Sequence, residues 1–165
     1  MSIDYEALRP PPMMCGECFH ILTPSVETLG GKVVMDPVWH HPVPRLDADH
    51  APVPVPQTGD AIGVCDFCSD DHPVATITTR PVATMELVNA RGDTQRYVDD
   101  DQWAACKVCT GFLEDGRWDL VTQRAIDRFA YHHLEEMSDV HRFTVRLLHA
   151  QVRAGFVSLT ADPPT

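Results

Sequence analysis

Positive charge is scarce in this 165-residue chain: 13 Lys+Arg stand against 24 Asp+Glu, a net charge of −11 with nine His counted as neutral. Binding to phosphate backbones draws its affinity from Lys and Arg displacing counterions, so a general nucleic-acid binder is not expected. The same shortage argues against anionic membrane surfaces. Long apolar runs are missing too, and none approaches the ~18–20 residues that a membrane-spanning helix requires. Aromatic residues are only 7%, so any core is spread thin. The first 18 residues, MSIDYEALRPPPMMCGEC, have neither a basic segment nor an apolar one, which is unlike a secretory signal. A cytoplasmic, reducing location is therefore expected, where structural disulfides are rare.

No cysteine lies outside a pair. All six fall in C-x-x-C: Cys15/Cys18 in CGEC, Cys65/Cys68 in CDFC and Cys106/Cys109 in CKVC. A gap of two residues lets a tight turn aim two thiolates at one tetrahedral ion, and two such turns close a four-sulfur site. Cys65, Cys68, Cys106 and Cys109 are expected to share one ion. The 37 residues between Cys68 and Cys106 exceed the compact ribbon spacing but suit a knuckle, a hairpin and a second knuckle at a helix start. Cys15 and Cys18 need other partners, and Trp39-His40-His41 offers them, with 21 residues between Cys18 and His40. Neighbouring residues on a strand face opposite ways, so one of His40 and His41 binds unless the chain turns there. His20 and His50 are reserves for the fourth position. The expected cofactor is Zn2+, two ions per chain, although sulfur ligation suits iron as well.

Other cysteine chemistry fits less well. Six cysteines allow 15 disulfide pairings, but the compartment disfavours them. CGEC is preceded by Pro10-Pro11-Pro12 rather than by the strand of a thioredoxin-like site. The residues four before the three pairs are Pro11, Ala61 and Gln102, so the histidine of an anti-sigma redox switch is absent. No H-E-x-x-H, P-loop, G-x-S-x-G or deaminase pattern occurs. His133, Met137 and His141 would share a helix face only if that helix were continuous.

The chain divides into a tail (1–12), a Cys/His module (13–41), a Pro-rich linker (42–60), a four-cysteine module (61–116), a helical pair (117–155) and a second tail (156–165). The first module reads as a hairpin, Ile21-Leu22 leading out, Gly30-Gly31 near the turn and Lys32–Met35 returning. Pro42, Pro44, Pro52, Pro54 and Pro56 exclude helix and central strand, so 42–60 is either an extended polyproline spacer or a surface loop. VATITTR and VATMELVNA read as strands, with a turn at Asn89–Asp93 and a return at Gln95–Val98. Asp99–Asp101 is an acidic run before the next pair. Beyond Cys109 the period becomes helical: Trp118, Val121, Ala125, Phe129 and His132 form one stripe, and Val140, Phe143, Leu147, Ala150 and Ala154 another. Ser138 is a candidate N-cap and Gly155 a candidate stop. Residues 1–116 hold 7 basic and 18 acidic side chains, whereas 117–153 hold six Arg and five acids. The fold class expected is α+β, small metal-stabilised modules with hairpins followed by two C-terminal helices.

CDFCSDDHPVATITTRP followed by WAACKVCTGFLEDGRWDLVTQRAID resembles a group of small actinobacterial and actinophage proteins. These share a CDFC knuckle, a short β segment, a W-A-A-C-x-x-C knuckle and a helix ending in a basic, Leu-rich run. The match spans residues 63–128. The resemblance implies a treble-clef or zinc-ribbon module with Cys65, Cys68, Cys106 and Cys109 as zinc ligands, and it implies little about activity. The acidic run at Asp99–Asp101 and the added helices depart from that pattern. The leading functional expectation is a non-enzymatic zinc protein that meets a protein partner or a second copy through its C-terminal helices. The alternative is a nucleic-acid-binding or transcription-regulatory zinc ribbon using Arg117, Arg124, Arg128, Arg142, Arg146 and Arg153. A hydrolase is a third reading, and it needs an open position at the Cys15/Cys18 site.

Overall fold

The β-branched run at 73–79 becomes the organising strand of the C-terminal half. The computed structural model describes residues 10–25, 28–29, 32–33, 36–45, 47–80, 85–88, 94–97, 101–133 and 136–162. The expected first tail, the Gly30-Gly31 turn, the Asn89–Asp93 turn and Asp99-Asp100 lie wholly or mainly outside these residues. The chain divides into two units, Met1–Val64 and Cys65–Thr165.

In the first unit, β1 (Met13–Cys15) is short and buried, and the chain then turns through CGEC. A hairpin follows, with β2 (Thr23–Ser25) antiparallel to β5 (Val38–His40). Nested inside it, β3 (Thr28–Leu29) pairs with β4 (Lys32–Val33). A 3-10 turn at Val43–Arg45 comes next. The Pro-rich segment is no free spacer: β6 (Pro54–Pro56) pairs antiparallel with β1, Cys15 opposite Pro54 and Met14 opposite Val55. Proline is tolerated because a two-stranded ribbon leaves each strand an outer edge that needs no N–H donor. At Gly16 the ribbon packs closely, since a Cβ there would come within 3.2 Å of Val55 Cγ1. Met14 and Leu22 supply the buried apolar side chains.

In the second unit, β7 (Pro73–Thr79) is the middle of a three-stranded antiparallel sheet, ordered β10-β7-β11. Between β7 and β10 runs a further hairpin, β8 (Met85–Val88) with β9 (Thr94–Tyr97). β10 (Gln102–Cys106) runs directly into α1 (Lys107–Glu114). That helix stops where Gly116 takes φ 70° and donates its N–H to Leu113 O, the left-handed C-terminal position that favours glycine. α2 (Trp118–His133) and α3 (Asp139–Gly155) follow. Ser138 caps α3 by accepting the His141 N–H. α2 ends at His133, so His133, Met137 and His141 do not share one continuous helix.

Two expectations for the C-terminal end require correction. Residues 156–160 are not tail but β11 (Phe156–Thr160), paired along the free edge of β7. The alternating FVSLT finds a backbone partner there, and Thr76 Oγ1 ties the end down by donating to Asp162 O at 2.7 Å. In α3 the row Val140, Phe143, Leu147 is not the packed face. His149 and Val152 are buried, with Leu148 packed beside them, whereas Val140 is 72% exposed and Phe143 66%. The core gathers Phe67, Ile77, Ala105, Leu113, Val121 and Val152 around four cysteines. Phe67 meets Trp103, Trp118 and His149 with ring centroids 5.4–6.4 Å apart. Fold class is α+β, small two- and three-stranded sheets with three helices among the described residues.

Candidate metal centres

CGEC and CDFC fold into the same turn. In the first, the Cys15 N–H donates to His20 O and the Phe19 N–H to Cys15 O, both at 2.9 Å. In the second, the Cys65 N–H donates to Asp70 O at 2.7 Å and the Ser69 N–H to Cys65 O at 2.8 Å. The residue after the second cysteine is left-handed in both, Phe19 with φ 64° and Ser69 with φ 61°. A non-glycine residue there costs roughly 1–2 kcal/mol, so something must hold both turns in place.

The third pair is built differently. Cys106 ends β10 and stands at the N-cap of α1 with no side-chain cap bond, and Cys109 lies in the first turn. Unpaired N–H groups and the helix dipole favour thiolates at that end. Asp66 joins the two halves of the site. Its N–H donates to Ala104 O at 2.9 Å, and its Oδ2 accepts the Ala104 N–H at 2.6 Å.

The ligand atoms of Cys65, Cys68, Cys106 and Cys109 lie within 4.8 Å of one another, and all four residues are buried. Cys68 Sγ is 3.7 Å from Cys106 Sγ. Two sulfurs about 2.3 Å from one tetrahedral ion sit about 3.8 Å apart, so the spacing fits a metal. Four thiolates this close repel one another strongly without a cation between them. Hydrogen bonding from Cys109 holds the Cys106 thiol below its ordinary value, and the same contact pushes Cys109 up. One further cation stands beside the sulfurs. Burial works against the Arg124 charge, but the Cys68 sulfur, Asp70 and Cys106 hold its pKa above the ordinary value. Arg124 and Arg128 both grip Asp70, the latter through Nε at 2.6 Å. Asp70 thus locks the CDFC turn to α2.

The second cluster comprises Cys15, Cys18, His41 and His50, again within 4.8 Å. His50 Nε2 lies 3.4 Å from Cys15 Sγ. A sulfur and a nitrogen on one tetrahedral ion would be about 3.6 Å apart. His41 Nε2 is buried and has no hydrogen-bond partner, as suits a nitrogen reserved for a metal. The two imidazoles meet edge to face, 4.8 Å between centroids and 83° between planes. Burial raises the Cys15 thiol, but hydrogen bonds from the Val53, Cys18 and Glu17 backbone and from His41 outweigh it and bring the pKa to about 5. Asp49 and then the two thiolates push His50 up to about 9. His50 Nδ1 is 3.1 Å from Asp49 Oδ1 and 3.7 Å from Glu17 Oε2. That pairing places the proton on Nδ1 and leaves Nε2 to face the sulfurs, the carboxylate–histidine arrangement common behind metal ligands.

All six cysteines thus fall into the two clusters. Of His40 and His41, only His41 joins: His40 ends β5 opposite Thr23 with its side chain exposed. His50, one of the two reserves for the fourth position, completes the cluster, brought in by the segment 42–60. His20 is buried and donates Nδ1–H to Cys18 O at 3.0 Å, buttressing the turn. Asp49, Asp66 and Asp70 carry roles that the sequence reading does not assign, and Arg124 enters that reading only as a candidate nucleic-acid contact. Asp66 and Asp70 sit in or beside a C-x-x-C turn, which is a usable signal, whereas nothing local to Arg124 points to the cysteine cluster. No protein-family model matches the chain, and neither the curated proteins nor the solved structures yield a match.

Proposed function

We propose that this is a zinc protein with two structural sites, one ion held by Cys65, Cys68, Cys106 and Cys109 and one by Cys15, Cys18, His41 and His50, and that it works as a protein-interaction module. The observation that carries this reading is the count of donors: each cluster supplies four protein ligands. Four ligands complete a tetrahedron, which is the mark of structural rather than catalytic zinc. The hydrolase reading needed an open position at Cys15/Cys18, and His50 takes that position. Mixed sulfur and nitrogen donation in the first cluster favours zinc over an iron–sulfur centre. A knuckle, a hairpin and a helix start carrying the last two cysteines support a treble-clef assignment for the second unit, as the resemblance implies. Six unpaired thiols suit a reducing cytoplasm. Among the described residues, no helix is long and apolar enough to cross a membrane.

Bound zinc would supply folding energy that so thin a core lacks, about 10–16 kcal/mol of apparent binding energy in small zinc peptides. The nucleic-acid alternative loses most of its cations. Arg124 and Arg128 are engaged by Asp70, Arg117 by Asp119 at 3.0 Å and Arg142 by Glu136 at 3.5 Å. Only Arg146 and Arg153 of the six lack an ion pair among the described residues. Elemental analysis of the purified protein should find two zinc ions per chain. A folded protein with none, and six titratable thiols, refutes the proposal. Tight, steeply salt-dependent binding to duplex DNA would favour the alternative.

A further inference from the structure

We propose that the exposed face of α3 binds a second copy of this chain, with the two α3 helices antiparallel. The inference rests on the interaction-module reading and names its partner. Val140, Phe143, Leu147, Ala150 and Ala154 recur at steps of three, four, three and four, the spacing with which one helix faces another. The whole row is exposed, Val140 at 72%, Phe143 at 66% and Leu147 at 42%, with both alanines exposed as well. The opposite side of α3, at His149 and Val152, already meets the core.

The row is graded, and the gradient selects the partner. Its large side chains lie in the N-terminal half and its alanines in the C-terminal half. A two-fold axis beside Leu147 sets Val140 against Ala154 of the other copy, Phe143 against Ala150 and Leu147 against Leu147. Val140 and Phe143 then each face an alanine, and Leu147 meets its own copy on the axis, a self-complementary arrangement. The space to receive them exists. A groove of ≈ 610 Å³ runs between α2 and α3, and its lining includes Trp118, Ile126, Ala150 and Ala154. Phe143 and Val140 of the second copy fill it.

Charge points the same way. Asp139 opens α3 and Arg153 stands near its end, and neither has an ion pair among the described residues. They flank the same row, so an antiparallel pair brings each Asp139 to Arg153 of the other copy, twice by symmetry. A parallel pair would set Phe143 on Phe143 and would not bring Asp139 to Arg153. The two Arg146 flank the axis at the exposed rim, where salt screens them.

The test is sedimentation velocity of the metal-loaded protein from ~1 to ~100 µM, a range that spans dimers of ordinary affinity. A dimer is expected. Phe143→Ala should weaken it about a hundredfold, since two buried rings are lost. Zinc content should stay unchanged in that variant, and so should the melting temperature at concentrations where wild type is monomeric, because Phe143 is exposed in the single chain. Asp139→Arg and Arg153→Asp should each weaken the dimer about tenfold, and combining them should restore it, because the charges merely exchange ends. A folded, zinc-loaded monomer throughout the range overturns the inference while leaving the zinc sites standing. A dimer indifferent to Phe143→Ala also overturns it. A dimer that Asp139→Arg strengthens overturns the antiparallel arrangement. Absence of zinc would instead defeat the reading beneath.

Discussion

Replacing Asp70 by alanine tests whether the CDFC turn is held by α2 or by its metal alone. The Asp70 side chain is 17% exposed and carries two guanidinium groups, those of Arg124 and Arg128, which are 25% and 28% exposed. Removing one partner of a fully buried pair costs roughly 3–5 kcal/mol, whereas a surface pair is worth about 0–1 kcal/mol. Asp70 lies between those limits with two partners, so Asp70→Ala should cost about 2 kcal/mol. The backbone bond from the Cys65 N–H to Asp70 O survives the change, which confines the loss to the side chain. For a unit of about 100 residues this lowers the melting temperature by roughly 8–12 °C. The assay is urea unfolding of zinc-saturated protein followed by circular dichroism at helical wavelengths, because all the described α-helices lie in this unit. Arg128→Leu combined with Asp70→Ala should cost less than the two single losses added together, since both touch one contact. A loss below about 0.5 kcal/mol, or strict additivity, refutes the latch.

Cys65→Ser or Cys106→Ser should release one zinc ion and unfold the second unit, whereas Cys15→Ser should release the other ion and leave the helical signal intact; equal collapse from all three shows one shared core. Asp49→Asn should weaken the first site alone by about 10–100-fold in competition with a chelator, because His50 loses the carboxylate that orients it; equal loss at both sites would contradict this. Burial holds His149 down to about 4, against an ordinary 6.5, while Thr122 accepts its Nδ1–H at 2.9 Å. The unfolded chain therefore takes up a proton before the folded one, so this stability is whole above pH ~6.5 and lost as pH falls toward ~4. Wild type should lose about 1 kcal/mol more than His149→Leu between pH 6.5 and 5.5, and equal slopes in metal-saturated protein would rule the linkage out.

The three C-x-x-C pairs were legible because their chemistry is local. Two intervening residues set the reach of both thiolates whatever the rest of the chain does, so six candidate ligands and the union of the second and third pairs follow from spacing. The helices at 118–133 and 139–155 were legible for the same reason, since a period and a cap at Ser138 are short-range properties. Choosing between His20 and His50 for the fourth position was not local. His50 enters where Pro54–Pro56 folds back on Met13–Cys15, a pairing across some 40 residues that a Pro-rich composition argues against and that an outer strand edge permits. The strand at Phe156–Thr160 likewise exists because β7 had an unpaired edge to offer. In α3, two apolar rows competed for one core, and sequence periodicity weighs them equally. Packing buried the row containing Val152 and left Phe143 outside, because helix orientation follows from the volume left between Phe67, Val121 and the sheet, which no local pattern contains.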